Sequence, residues 1–208
     1  MSPRKAAALR DSADDRGLRD HLLSTAQRLI AEQGAAGLTV RAIARAAGVA
    51  DGVLYNHFTS KEDLLLAAVR AHVDTAHREL GPLPTAGDAT VAENLHTYLR
   101  AGLALHQAIL PVFAGLLATP AILARYTETP GDEQAWRTRL TTYLAAERAL
   151  ARLAPATDID AAAALLAGIC HDRVLTALLP TTPPPTADID AVITVLLAGI
   201  APHGSGDE

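Results

Sequence analysis

Residues 39–61 read TVRAIARAAGVADGVLYNHFTSK, two short helical stretches around a glycine. Thr39 suits an N-cap, because its hydroxyl can accept a backbone N–H that the first helical turn leaves unpaired. Val40, Ile43, Ala44 and Ala47 then recur every three to four residues and gather one apolar face. Gly48 stands where the helix must end in the left-handed conformation, which glycine enters without a steric penalty. Val49 fills the corner, and a second helix is predicted from about residue 50 to 57 with Leu54 as its inward anchor. Ala44, Ala46 and Ala47 keep the first helix slim, so the two can cross closely. This pattern is a helix-turn-helix, whose second helix is built to lie in the DNA major groove.

The end of the second helix departs from core logic. Tyr55, Asn56 and His57 place three consecutive hydrogen-bonding side chains around an apolar Leu54–Phe58 pair. Ser60 with Asp63 resembles a capping box, Asp standing where Glu or Gln is usual. Lys61 is electrostatically out of place in a first turn, where helix N-termini favour negative charge. A phosphate held by both the helix N-terminus and the lysine accounts for it.

The run T-V-R-x-I-A-x-x-A-G-V-x-x-G-x-L-Y-x-H-F-x-S-K-E-x-L resembles the DNA-binding domain of the tetracycline-repressor (TetR) family of bacterial transcription regulators. The resemblance spans residues 18–66 and is specific across them; beyond, the chain is similar to the family only in helical character and length. By position in the motif, it implies phosphate contacts from Thr39, Tyr55, His57 and Lys61, which fix register without reading sequence. Arg41 can reach a phosphate or a guanine edge, and Ala50, Asp51, Gly52 and Asn56 belong to the groove-facing surface. There a methyl suits thymine, and an Asn suits adenine or a phosphate. Asp51 departs from the neutral or basic residue expected; it can accept from cytosine N4, and it repels phosphate. The structural alternatives are capping alone for Thr39, and packing against the following helix for Tyr55 and His57.

With 208 residues the chain can form one large or two small domains around a real core. Half of the residues are apolar but only 3% are aromatic, and the dominance of Ala and Leu favours helices. Cys170 is the only cysteine, so an intrachain disulfide is excluded; it reads as a core residue in a reducing compartment rather than a catalytic thiol. The N-terminus lacks an apolar signal segment, and no unbroken apolar run approaches the ~20 residues that span a bilayer. The expectation is a cytoplasmic protein with no membrane partner. Residues 1–80 hold 11 Lys+Arg against 10 Asp+Glu, and residues 81–208 hold 7 against 13, so the acidic excess lies away from the motif. DNA responds to the field near its contact surface, which keeps nucleic-acid binding compatible with a net charge of −5. The eight histidines have no metal-ligand spacing, and no P-loop, dinucleotide fingerprint or Gly-x-Ser-x-Gly occurs. No catalytic residue, metal or cofactor is expected.

Working outward, residues 1–16 mix charges without apolar periodicity and read as a flexible tail, or alternatively as a basic arm for the minor groove. Leu18, Leu22, Ala26, Leu29 and Ile30 form a helical stripe ending at Gly34, which completes a three-helix DNA-binding domain over 17–62. A connecting helix is predicted over 60–80, broken by Gly81-Pro82-Leu83-Pro84, then helices over 88–106, 109–118, 120–128 and 132–153, interrupted at Pro111 and Pro120. Broken helices can leave space for a ligand. Tyr98, His106, Phe113, Tyr126, Trp136, Tyr143, Cys170 and His171 are the few aromatic or polar-tipped groups there, able to orient a small apolar effector or simply to fill the core. Asp158-Ile-Asp-Ala is echoed by Asp188-Ile-Asp-Ala, opening two helices over 158–179 and 188–201 whose interiors are apolar almost all round. The same pair from a second subunit is the simplest cover, giving a homodimer; the alternative is that both helices are central to their own bundle. The Pro-rich 180–185 is a stiff linker, and 204–208 a flexible tail.

The expected protein is therefore all-α: a helix-turn-helix domain, then an effector-binding and dimerising bundle over 63–203. Its implied function is a homodimeric repressor on a roughly palindromic double-stranded operator, released by a small molecule. The alternatives are a ligand-independent DNA-binding regulator, and a small-molecule or protein-binding module that has lost DNA recognition.

Overall fold

The computed structural model describes residues 3–33, 38–117, 120–128, 135–179 and 188–200. Within them every regular element is helical: α1 (Pro3–Gln33), α2 (Val40–Ala47), α3 (Asp51–His57), α4 (Lys61–Glu79), α5 (Val91–Leu116), α6 (Pro120–Glu128), α7 (Ala135–Ala149), α8 (Ile159–Leu178) and α9 (Ile189–Ile200). The Gly34 helix stop, the Pro-rich linker and the 204–208 tail lie outside the described residues.

Two compact units emerge, one from residues 1–75 with 111–131 and the other from 76–110 with 132–208. The first boundary thus falls within α4 rather than at 62/63, and residues 111–131 return to the N-terminal unit. Local contacts explain this. The Arg70 guanidinium on α4 donates to the carbonyls of Arg125 and Tyr126, and Arg125 lies 3.6 Å from Asp63.

In the first unit α1, α2 and α3 pack on one another. Leu22, Ala26 and Ile30 of α1, Ile43 and Ala44 of α2, and Leu54 of α3 are buried, with Phe58 and Leu64 beyond them. Thr39 caps α2 by accepting from Ala42 N–H at 3.1 Å. Gly48 ends it at φ 73°, while the amides of Gly48 and Val49 return to the carbonyls of Arg45 and Ala44. Ser60 accepts from Asp63 N–H at 3.1 Å, and Asp63 reaches back to the amide and hydroxyl of Thr59.

Three sequence expectations are corrected. The supposed flexible tail is helical from Pro3: proline is tolerated at a first helical position, and Ala6, Ala7, Ala8, Leu9 and Arg10 are strong helix formers. Pro111 does not divide α5. Its penalty of ~3 kcal/mol is outweighed by burial of Ile109, Val112 and Leu116, each contributing about 1.5–3 kcal/mol. And α7 ends at Ala149 instead of 153, because Ala151 takes the left-handed conformation at φ 56° while Ala151 and Arg152 amides bond back to Arg148 and Glu147 carbonyls.

In the second unit α7 packs on α8, whose expected aspartate cap forms, Asp158 accepting from Ala161 N–H at 3.0 Å; at the start of α9 Asp188 accepts from the adjacent Ile189 amide at 2.7 Å. Although no unbroken apolar run approaches ~20 residues, α5 and α8 are long and apolar enough, by length and composition, to cross a membrane. Each nonetheless turns a face into the protein, with Leu95, Leu99 and Leu105 buried on α5 and Ala163, Leu166 and Cys170 on α8. Within α8, Asp172 and Arg173 would be penalised in hydrocarbon.

Candidate nucleic-acid interface and ligand cavity

At 100° per residue, the exposed positions of α3 (Asp51, Gly52, Tyr55 and Asn56) fall on one arc, while Leu54 and Phe58 point to the core. Ala50 is exposed immediately before the helix, Thr39 and Arg41 are exposed at the start of α2, and Lys61 at the start of α4. Tyr55 keeps 58% of its surface exposed, so it is not packed against α4; His57 is half-buried. Thr39 performs the capping role, which leaves its remaining lone pair and hydroxyl proton for another partner.

Asp51, the anomaly of the recognition segment, has a partner. Its carboxylate lies 3.5 Å from Arg41 Nε, and both side chains are more than half exposed. It also sits in the first turn of α3, where negative charge is favourable. Such an exposed pair contributes only ~0–1 kcal/mol, so a phosphate or base edge can displace it.

Three neighbouring groups escaped the sequence reading. Arg45 is exposed one turn after Arg41 on α2, the i, i+4 spacing being the signal that marks it. Arg19 on α1 lies over the Phe58 ring at 5.1 Å, and His21 Nε2 lies 3.2 Å from the Ala47 carbonyl. The last two link residues 26 to 39 apart, which spacing along a helix does not reveal.

The ligand candidates do not converge. Phe113 and Tyr126 meet edge to face at 5.0 Å in the first unit. The other six belong to the second. There Tyr98 stacks on Tyr143 at 4.7 Å and donates to the Pro84 carbonyl at 3.2 Å, beside an open groove of about 320 Å³. Burial pushes the Tyr98 hydroxyl up, and pushes that of Tyr143 up further, with Glu147 adding to the effect. Cys170 is buried against the Leu99 carbonyl, and burial pushes its thiol up to about 11, so it is protonated at neutral pH and behaves as core.

His106, Trp136 and His171 do come together. They line a cavity of about 200 Å³ with Leu105, Ile109, Arg137 and Ala167. The His106 ring lies edge-on to Trp136 at 5.4 Å and to His171 at 4.7 Å. The indole N–H of Trp136, itself only 2% exposed, donates to the Tyr98 carbonyl at 3.1 Å. His106 Nδ1 is 2.6 Å from the Gly102 carbonyl; a carbonyl only accepts, so Nδ1 carries the proton. Residues 98, 102 and 106 are successive turns of one α5 face, and together they form the seat of the tryptophan.

Burial holds the His106 imidazole below its ordinary value, opposed by the Gly102 bond and reinforced by the like charges of His171 and His77. A depressed folded-state value means that the neutral ring stabilises the fold above the unfolded value of ~6.5, and this contribution is lost as pH falls through the folded value. The wild type is therefore expected to lose thermal stability between pH 6.5 and 5 more steeply than His106→Gln. Parallel melting curves for the two proteins across that range would contradict this.

A family model described as bacterial regulatory proteins, tetR family, matches residues 22–68. The HTH-type transcriptional repressor KstR2 of Rhodococcus jostii is 44% identical over 64 residues, 31% of this chain and 31% of its own length. The HTH-type transcriptional repressor NemR of Escherichia coli is 29% identical over 80 residues, 38% of this chain and 40% of its own. The matched region thus spans 31–40% of these curated relatives. Solved structures extend the likeness of fold along the chain. The flavonoid-responsive regulator FrrA covers 90% of this chain and 98% of its own, at 25% identity and a TM-score of 0.60. A regulator from Saccharomonospora viridis in complex with choline covers 89% and 98%, at 22% identity and a TM-score of 0.64. Helix-turn-helix motif and matched residues agree: residues 22–68 are the part of the chain that is similar to the tetR family of bacterial regulatory proteins, and the fold of the described residues is similar to that of the solved regulators.

Proposed function

We infer that this protein is a sequence-specific DNA-binding transcriptional regulator, acting in the cytoplasm as a homodimeric repressor that a small molecule releases from its operator. The observation that carries the DNA reading is the exposed arc of α3, flanked by Arg41, Arg45 and Lys61 and standing on the buried Ile43–Leu54–Phe58 core. In this reading Thr39, Tyr55, His57 and Lys61 hold phosphates, while Arg41, Ala50, Asp51, Gly52 and Asn56 face the bases. The Arg41–Asp51 pair favours the second reading, a binding module without DNA recognition, but so weak a pair is readily exchanged for a phosphate.

Self-association is supported by apolar surface that one protomer leaves uncovered. On α8, Ala161, Ala164, Leu165, Gly168 and Leu175 recur along one exposed face, Leu165 at 61%, and on α9 Val195 is 75% exposed. Two copies facing each other there would bury both stripes and present two α3 helices to half-sites ~34–36 Å apart or a multiple of it. The effector reading rests on the cavity at His106, Trp136 and His171 and supposes a ligand with an apolar body. Such a ligand relieves repression only through its differential affinity for the DNA-competent and DNA-incompetent dimers.

The test is binding of the full chain to the DNA upstream of its own coding region, against unrelated DNA, over a salt series, with the mass of the complex measured by light scattering. A preference of ~10³-fold or more and one dimer per site are expected. Lys61→Gln should weaken binding evenly across sequences and flatten the salt slope by about 1. Equal weak affinity for both DNAs, with random DNA yielding no preferred site, would leave the binding-module reading standing instead.

A further inference from the structure

The second unit's cavity has a one-sided chemistry. Leu105, Ile109, Ala167 and Trp136 supply its apolar walls, while its polar lining consists of Arg137, His106 and His171. Among the described residues no carboxylate lines it. His77 bears on the charge of His106 from α4, so a further imidazole adds to a field that is positive or neutral at any pH. Asp172, next to His171, is exposed and stands outside the lining.

Size narrows the occupant. A cavity of ~150 Å³ lined by aliphatic side chains accommodates benzene. About 200 Å³ therefore takes one such ring with a small substituent. A cation would find the Trp136 ring attractive but would face the Arg137 guanidinium, the one permanently charged group of the lining, whereas an anion can pair with it.

We propose that this cavity is the seat of a small organic carboxylate with a ring-sized apolar body. The body packs between Trp136, Leu105 and Ile109, and Arg137 and His171 hold the carboxylate. Arg137 is exposed at the third position of α7, so its planar fork can turn onto a carboxylate in two parallel hydrogen bonds without losing a buried partner. The inference gives chemistry to the effector of the repressor reading and rests on it for regulation, though not for binding.

Trp136 is the only tryptophan of the chain, so its fluorescence reports this cavity directly. The full-length protein is titrated with benzoate, benzyl alcohol and benzylamine, which share a ring and differ in charge. Benzoate should change the emission saturably and bind at least ~10-fold more tightly than the alcohol, with the amine weakest. Arg137→Gln should weaken benzoate by ~10-fold and leave the alcohol unchanged; the side chain is exposed, so the variant folds. Benzylamine or the alcohol binding as tightly as benzoate overturns the proposal, as does the absence of a saturable response to benzoate. Operator binding is measured in parallel. Saturable benzoate binding with unchanged operator affinity upholds the site and defeats ligand-relieved repression. Intact operator binding with no benzoate response defeats the site alone.

Discussion

Gly102→Ala is expected to destabilise the protein by about 1–3 kcal/mol and to shift the fluorescence of Trp136. In an exposed helix the same change is favourable by ~1 kcal/mol, because alanine loses less backbone entropy. At position 102 that gain is overtaken. A Cβ there would run into the Trp136 ring at Cζ2, and would stand 2.6 Å from Cε2 and 3.0 Å from Cη2. The ring is not the loose end of a flexible chain: it is 2% exposed, pinned by its N–H to the Tyr98 carbonyl and set edge-on against His106. Moving it forfeits a buried hydrogen bond, worth ~1 kcal/mol, as well as the packing. Gly17→Ala is the control, since a Cβ on that helical glycine meets nothing within 4 Å, and it should hold or raise the urea midpoint. Equal midpoints for the two variants, with unchanged tryptophan emission, would show that the seat yields at no cost.

That pair of glycines also marks how far the sequence could be read. Both lie inside helices, and nothing along the chain distinguishes the one that touches a tryptophan 34 positions away from the one in open space. Helix ends show the same divide. Both α2 and α7 finish with a left-handed stop, and the one carrying Gly48 announces itself because glycine is the residue that geometry favours. The other places Ala151 there, so α7 was expected to continue to 153. Pro111 misled in the opposite direction, because a local penalty of ~3 kcal/mol is legible and the burial that offsets it is not.

The exposed arc of α3 was far more legible than the cavity. Between Thr39 and Lys61 the caps, the turn and the buried anchors sit within a few residues of one another, so local rules place the exposed arc of α3. Even there, Asp51 looked anomalous until Arg41 was found beside it. The eight ligand candidates stand out in the sequence by their chemistry alone. Tertiary packing then sorted them into a cavity trio, a tyrosine stack, a core thiol and a pair in the other unit, a division no spacing rule could supply.

The largest single effect is expected at Arg152. Glu147 is completely buried, and its carboxylate is held by the Arg152 guanidinium at 3.2 Å and the Gly87 amide at 3.3 Å. Arg152 also donates to the Ala89 carbonyl, so the two side chains bind the end of α7 to the segment that leads into α5. Arg152→Ala removes the cation and leaves the carboxylate buried with no charged partner, beside the Gly87 amide and Tyr143; breaking a buried pair in this way costs about 3–5 kcal/mol. Glu147→Gln removes the other charge, but Arg152 is 28% exposed and can turn to water. Its effect should stay within the ~1.5–3 kcal/mol of hydrogen bonds to a charged group. The ordering follows from which charge is stranded, not from the number of bonds lost. Replacing both, with Arg152→Met and Glu147→Leu, should recover much of the loss, because no buried charge then lacks a partner. Urea midpoints for the three variants decide it. If Glu147→Gln proves more damaging than Arg152→Ala, the carboxylate is serving the loop amide rather than the guanidinium, and the pair is not what holds residues 87–90 against α7.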